Sequence, residues 1–169
     1  FKEFGEARVY NFQLDEPSMV GNAIGHTYLD IISVIEFQFS PFCRTAWSQI
    51  VHMLAHSYFH TGNAPHVVMR APCGGGFSGG GFHSGMLEAE FIHEHGIVVV
   101  FPSTPYDVKG LVFTALREKV PILYLEQITS YSDASLKEAV PREPYTIPFG
   151  KARILREGKD LTIITYGPL

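Results

Sequence analysis

Short apolar runs alternate with longer segments of helical periodicity along this chain. This alternation predicts an α/β fold, a three-layer sandwich with a mainly parallel central sheet and right-handed crossovers. The run at 97–101 is nearly all apolar, which is typical of a central strand. The predicted strands are 8–12, 31–39, 66–71, 97–101 and 121–126, and the predicted helices are 16–28, 44–60, 87–95 and 105–118.

Two helix starts carry capping signals. Asp15 precedes Glu16 and Pro17, and an aspartate followed by an acidic residue and a proline suits a first helical turn. Ser103 or Thr104 is the predicted cap of the helix that begins near residue 105. We therefore expect these two helices to begin at 16 and 105.

The chain divides into three parts by composition. A first domain at 1–127 is followed by a polar, proline-containing connector at 128–150 and by the start of a second domain at 151–169. Within the last part, 151–166 has a strand pattern on either side of a predicted hairpin turn at 156–160. The chain begins and ends abruptly, so we expect a strand and a helix before residue 1 and the remainder of the second domain after residue 169.

Composition narrows the class of function. The chain has 169 residues, of which 46% are apolar, and its formal net charge is −4 without a long run of Lys or Arg. A nucleic-acid partner would need a basic face, so we expect none. No apolar run approaches the roughly 18 residues of a membrane span, so we expect no membrane contact. Cys43 and Cys73 are far apart, which favours free thiols in a reducing, intracellular setting.

A glycine-rich segment at 72–85 is the most informative stretch of the sequence. It follows the predicted strand at 66–71, contains two glycine triplets and carries His83 near its end. Glycines cluster where the backbone needs positive φ or must approach a ligand closely. The pattern Gly74-x-Gly76-x-x-Gly79 is not a dinucleotide fingerprint, because no helix opens there, and no lysine follows as in a phosphate-binding loop. We expect a ligand-binding loop at the end of a strand.

Several side chains have both a functional and a structural interpretation. His52, His56 and His60 recur every four residues, a spacing that suits zinc, although a solvated or interface face is favoured because no Cys, Asp or Glu joins them. Glu16 either complements the helix dipole or acts as a proton relay. Phe42, after the second strand, is a core residue or a stacking platform for a flat ring, and His83 is structural or functional.

Taken together, these positions resemble a known family. The chain is similar to the β subunits of the thiamin-diphosphate-dependent decarboxylating components of 2-oxo acid dehydrogenases, the pyruvate, branched-chain and acetoin types, over nearly all its length. The order and spacing of the matching blocks carry the resemblance. They are residues 4–6 with 8–10, 20–21 with 23–25, 36–39, 49–51, 72–84, 102–111 and 148–152.

The resemblance implies a thiamin-diphosphate-binding, transketolase-like fold in which 1–127 receives the aminopyrimidine ring and a transketolase-like C-terminal domain begins at 151. It implies that Glu16 hydrogen-bonds the pyrimidine ring nitrogen and that Phe42 stacks on the ring. It implies that His83 handles protons or steadies charge during acyl transfer. The implied enzyme decarboxylates a 2-oxo acid oxidatively and passes the acyl group to a lipoyl group.

The resemblance also implies partners. Thiamin enzymes hold the diphosphate through Mg²⁺ at a Gly-Asp-Gly…Asn motif, and no Gly-Asp occurs in this sequence. We therefore expect an α subunit to hold the Mg²⁺ and the diphosphate, in a heterotetramer that is active only when both chains are present. A lipoyl-bearing acyltransferase would accept the acyl group, in bacterial cytoplasm or the mitochondrial matrix. A K⁺ ion is a further candidate, although residues 118–121 differ from the family's ion-binding loop.

Two alternatives stay open at this point. The first is the pyrimidine domain of another thiamin enzyme, of the transketolase or deoxyxylulose-phosphate synthase type, with the Gly-Asp-Gly half upstream in the same polypeptide. The second is a non-catalytic assembly subunit, which the changed residues around Glu16 and His83 would allow. The length of the chain before residue 1 distinguishes another thiamin enzyme from a β subunit. Titration of thiamin diphosphate into the chain mixed with an α subunit distinguishes an assembly subunit from a catalytic one.

Overall fold

A computed structural model describes residues 2–168, so Phe1 and Leu169, the ends of the predicted domains, lie outside the described residues. The helices α1 to α4 are Glu16–Thr27, Ser57–Thr61, Glu88–Ile92 and Pro105–Ala115, and the strands β1 to β4 are Ser33–Glu36, Val67–Cys73, Val98–Val100 and Ile122–Gln127. A π-helix covers Gln49–Ala55, and 3₁₀ turns cover Ser40–Arg44, Ile128–Tyr131 and Ala134–Leu136.

The four strands form one parallel sheet in the order β1-β2-β4-β3, which confirms the predicted α/β class. The central strands β2 and β4 are aligned by pairs such as Val68 with Ile122. The prediction of a central position for 97–101 is wrong within the described sheet, because β3 lies at its edge. The strand is apolar although it lies at an edge, because Val98 and Val99 pack against hydrophobic cores on opposite faces of the sheet.

Helices cover both faces of the sheet and give three layers. Met69 and Leu125 point into the larger core, to which α1 and the π-helix contribute. Val68 and Tyr124 point to the opposite face, where α4 packs. Adjacent residues of one strand therefore enter different cores, as the two-residue period of a strand requires.

The predicted helix starts are confirmed. Asp15 caps α1 by accepting a hydrogen bond from the Ser18 amide, and Pro17 stands in the first turn. Thr104 caps α4 by accepting from the Asp107 amide. Both side chains satisfy amide groups that have no partner within the helix.

The predicted continuous helix at 44–60 is wrong in its regularity. The segment breaks into the 3₁₀ turn Ser40–Arg44, the π-helix Gln49–Ala55 and the short helix α2. Its apolar residues Ile50, Val51 and Leu54 are nevertheless buried, so the periodicity identified the inward face correctly. These residues stay buried although the helix is irregular, because tertiary packing of the apolar face, and not the backbone hydrogen-bond pattern, determines which side faces the core.

Two predicted strand regions are irregular. Residues 8–12 and 151–166 contain no strand, and no hairpin forms at 156–160. Neither region pairs with a strand among residues 2–168, and an isolated extended segment is not stable without such a ladder. Ile163 and Ile164 are consequently exposed. No helix among the described residues is long and apolar enough to cross a membrane.

Candidate functional site

Glu16 occupies the first turn of α1, and its carboxylate faces the turn that follows β1. The Asp15 cap fixes the start of the helix, which directs the half-buried Glu16 side chain toward Thr45. The Thr45 hydroxyl lies 3.2 Å from Glu16 Oε2, within hydrogen-bond distance. Helix capping therefore sets the position of the carboxylate.

Thr45 also connects this carboxylate to Phe42. Its hydroxyl lies 2.7 Å from the Phe42 carbonyl oxygen, and its backbone amide donates to the same oxygen at 3.1 Å. Phe42 lies in the 3₁₀ turn Ser40–Arg44 and is half-buried. Glu16 and Phe42 are thus brought together through one residue that the sequence did not single out.

His83 closes the other side of the site. Its ring lies 5.6 Å from the Phe42 ring and 4.8 Å from the Phe39 ring, centroid to centroid, in edge-on arrangements. Nδ1 lies 2.8 Å from the Gly79 carbonyl oxygen. A carbonyl can only accept, so Nδ1 carries the proton in the neutral ring, and Nε2 is left with a free lone pair.

The glycine loop needs its glycines at specific positions. Gly74 has φ of +84°, and a Cβ there would collide with the Gln127 side chain at the end of β4. A Cβ on Gly79 would collide with the ring of Phe77. Phe77 in turn stacks on Phe39, with centroids 5.6 Å apart and planes 5° from parallel. The loop therefore folds back closely enough to bring its own aromatic ring into the site.

The far end of the loop is clamped to the 3₁₀ turn. Ser40 Oγ donates to the Gly85 carbonyl at 2.7 Å. Arg44 forms an ion pair with Glu90 on α3, the helix that follows the loop. The turn that carries Phe42 and the loop that carries His83 are therefore connected at two points.

The three residues predicted from the sequence thus lie on one side of the molecule, joined in the order Glu16, Thr45, Phe42, His83. Sequence reasoning missed Phe39, Phe77 and Thr45. Phe39 and Phe77 carried a signal, because one follows a predicted strand and the other separates the two glycine triplets. Thr45 carried none, since its role depends on a contact across 29 positions of the sequence.

A groove lies beside this convergence. It has a volume of about 1150 Å³ and follows the open edge of β1, with Glu16 and Phe37 in its lining. Phe42 and His83 do not line it. Because chemistry needs groups that converge, we place the candidate site where Glu16, Phe42 and His83 are joined through Thr45, rather than along the groove.

The cysteines offer no reactive thiol, and the histidine stripe forms no metal cluster among residues 2–168. Burial raises the pKa of the Cys43 thiol far above its usual value, and the charge of Glu16 adds to the shift. Burial likewise raises the pKa of Cys73 to about 12. Both thiols are free, as predicted. His52 and His56 have ring centroids 6.2 Å apart, and within residues 2–168 no group of three or more His, Cys, Asp or Glu could hold a metal ion.

Known proteins resemble the chain over its whole length. Residues 1–130 match the family model described as transketolase, pyrimidine binding domain. The chain is 39% identical over 169 residues to the 2-oxoisovalerate dehydrogenase subunit beta of Bacillus subtilis (strain 168), covering 99% of this chain and 51% of that protein. It is 39% identical over 170 residues to the pyruvate dehydrogenase E1 component subunit beta of the same organism, covering 99% and 52%.

A third relative is the pyruvate dehydrogenase E1 component subunit beta of Staphylococcus aureus (strain Mu50), which is 40% identical over 171 residues, covering 99% of this chain and 52% of that protein. The chain therefore spans about half the length of the curated relatives it matches. With a parallel sheet between two helical layers and a family match over 130 residues, the chain belongs to the transketolase pyrimidine-binding domain family.

Proposed function

We propose that this chain is part of the β subunit of a 2-oxo acid dehydrogenase and that it receives the aminopyrimidine ring of thiamin diphosphate. The enzyme would decarboxylate a 2-oxo acid and pass the acyl group to the lipoyl group of an acyltransferase. The observation that carries the proposal is the convergence of Glu16, Phe42 and His83 at one site. The names of the relatives, pyruvate and 2-oxoisovalerate dehydrogenase β subunits, support the reaction class.

The residues present suit a flat, nitrogen-containing ring. The carboxyl of Glu16 is the type of group that exchanges a proton with a ring nitrogen. The half-buried ring of Phe42 offers an apolar face for stacking. Thiamin diphosphate, when bound, supplies the electron sink for decarboxylation, and the protein supplies orientation and proton placement.

His83 has a separate part in this proposal. Its Nδ1 proton is engaged by the Gly79 carbonyl, so its free Nε2 lone pair can accept a proton or, once protonated, stabilise negative charge. Near-perpendicular packing against the rings of Phe39 and Phe42, at interplanar angles of 84° and 72°, holds the plane of the His83 ring. We propose that His83 places a proton during acyl transfer to the lipoyl group.

We propose that an α subunit holds the Mg²⁺ and the diphosphate, in a heterotetramer. The start of α1 presents Asp15 at the cap and Glu16 in the first turn, and their negative charges would repel a diphosphate at close range. The word subunit in the names of the relatives supports a second chain. The proposal also includes a K⁺ ion as a candidate cofactor. The two buried free thiols favour a reducing compartment, bacterial cytoplasm or mitochondrial matrix.

The test is Glu16→Gln in the full protein assembled with its partner subunit. The amide keeps the shape of the side chain and removes its proton chemistry, so turnover with pyruvate or a branched-chain 2-oxo acid should fall by at least about 100-fold. Calorimetric titration with magnesium and thiamin diphosphate should show weaker binding. Glu143→Gln, at an exposed position in the segment that follows β4, is the matched control and should behave as wild type.

Three outcomes contradict the proposal. Wild-type turnover of Glu16→Gln removes the assigned role. Turnover of sugar phosphates instead of 2-oxo acids favours another thiamin enzyme. Normal assembly of the unmutated protein without thiamin diphosphate binding favours an assembly subunit.

A further inference from the structure

Among residues 2–168, Thr45 is the only side chain that hydrogen-bonds Glu16. The other charged groups nearby have different partners. Asp15 bonds the amide and the hydroxyl of Ser18, and Arg44 is paired with Glu90. The orientation of the Glu16 carboxylate in the described structure therefore depends on one hydroxyl group.

That hydroxyl has two acceptors and one proton. Thr45 Oγ1 lies 2.7 Å from the Phe42 carbonyl oxygen and 3.2 Å from Glu16 Oε2. A hydroxyl donates one hydrogen bond and accepts up to two. When Glu16 is charged, the hydroxyl can donate to it. When Glu16 is protonated, the hydroxyl can donate to the Phe42 carbonyl and accept a hydrogen bond from the carboxyl O–H.

Both arrangements leave the surrounding polar groups satisfied. The Phe42 carbonyl also accepts from the Thr45 backbone amide at 3.1 Å, so it keeps one partner after the hydroxyl rotates away. Thr45 is exposed and Glu16 is half-buried, so the hydroxyl contributes the net value of one hydrogen bond, about 0.5–1.5 kcal/mol, in either state. A carboxyl group that gains and loses a proton during turnover needs such a support.

We propose that Thr45 is a positioning residue that holds the Glu16 carboxyl group in both its charged and its neutral form. This inference rests on the proposed function, since it concerns the same carboxyl group. Thr45 acts through Glu16, and by the same hydroxyl it couples the carboxyl to the backbone of Phe42.

The test measures thiamin diphosphate affinity, with magnesium present, in the full protein assembled with its partner subunit. Thr45→Val removes the hydroxyl and keeps the shape, so the Kd should rise about 3- to 10-fold, the value of one hydrogen bond. Thr45→Ser keeps the hydroxyl and should stay within about twofold of wild type. Thr61→Val is the matched control, because the Thr61 hydroxyl bonds the Ser57 carbonyl at 2.8 Å and has no carboxylate partner.

A double-mutant cycle with Glu16→Ala separates positioning from a merely structural role. If Thr45 acts through Glu16, Thr45→Val should change the Kd less than about twofold once the carboxyl group is gone. Equal losses in both backgrounds, a wild-type Kd for Thr45→Val, or a melting temperature lower than that of Thr61→Val would overturn the inference while leaving the proposed function intact. If Glu16→Ala and Glu16→Gln both bind and turn over normally, the proposed function fails as well.

Discussion

Replacement of Gly85 by alanine tests the clamp between the glycine loop and the turn that carries Phe42. A Cβ on Gly85 would lie 2.8 Å from Pro41 Cγ, while the next nearest atoms of Pro41 are at 3.7 and 3.8 Å. The two segments must therefore separate by about 0.6 Å to reach an ordinary contact of 3.4 Å. The Pro41 ring is closed onto its own backbone nitrogen, so apart from a change of ring pucker the contact is relieved only by a shift of the backbone.

The magnitude follows from two opposing terms. Overpacking of this kind costs about 1–3 kcal/mol. Alanine also restricts the unfolded chain, which returns about 0.4–1 kcal/mol. We expect a net destabilisation of about 1–2 kcal/mol, and a weaker affinity for thiamin diphosphate because His83 lies two positions before the displaced residue.

Thermal unfolding and calorimetric titration of the assembled protein measure both effects. Gly81→Ala is the matched control, since a Cβ there meets nothing within 4 Å. Pro41→Ala combined with Gly85→Ala should recover most of the loss, because only the Cβ at 3.7 Å remains in contact. Equal stability of Gly85→Ala and Gly81→Ala, or no recovery in the double variant, would refute the reasoning.

Two further predictions concern single groups. His83→Ala should lower the rate of acylation of the lipoyl group more than the rate of decarboxylation, which is measured with an artificial electron acceptor. His93→Ala, at an exposed position, is the control. Equal losses in both half-reactions would contradict the assigned role. The Cys73 thiol binds its proton more tightly when folded, with its pKa raised from 9.0 to about 12, so stability should fall as pH rises through that interval, by at most about 1.4 kcal/mol per unit. Urea unfolding at pH 8 and pH 10 should show this fall in wild type and a smaller one in Cys73→Ala.

The features that the sequence predicts correctly depend on local patterns. The caps Asp15 and Thr104 act within three or four residues, and the apolar runs of β2 and β4 are buried on both faces. The three proposed site residues came from the family resemblance together with the glycine pattern at 72–85. The structure brings them into one place, whereas their chemical roles stay predictions.

The features that it misses depend on distant contacts or on pairing. The break at Gln49–Ala55 leaves the inward face unchanged, so hydrophobic periodicity does not reveal it. The strand pattern at 151–166 has no neighbouring strand among the described residues, and a pattern alone does not supply hydrogen-bond partners. The link between Thr45 and Glu16 exists only after α1 and the 3₁₀ turn have packed together.

Phe39 contacts three aromatic neighbours at once, with ring centroids 5.9 Å from Phe42, 5.6 Å from Phe77 and 4.8 Å from His83. For an engineer who wishes to widen substrate acceptance, this makes residue 39 a poor place to diversify, because one change disturbs three rings together. Phe82, in the same loop, exposes 84% of its surface and offers a freer starting point for a mutant library.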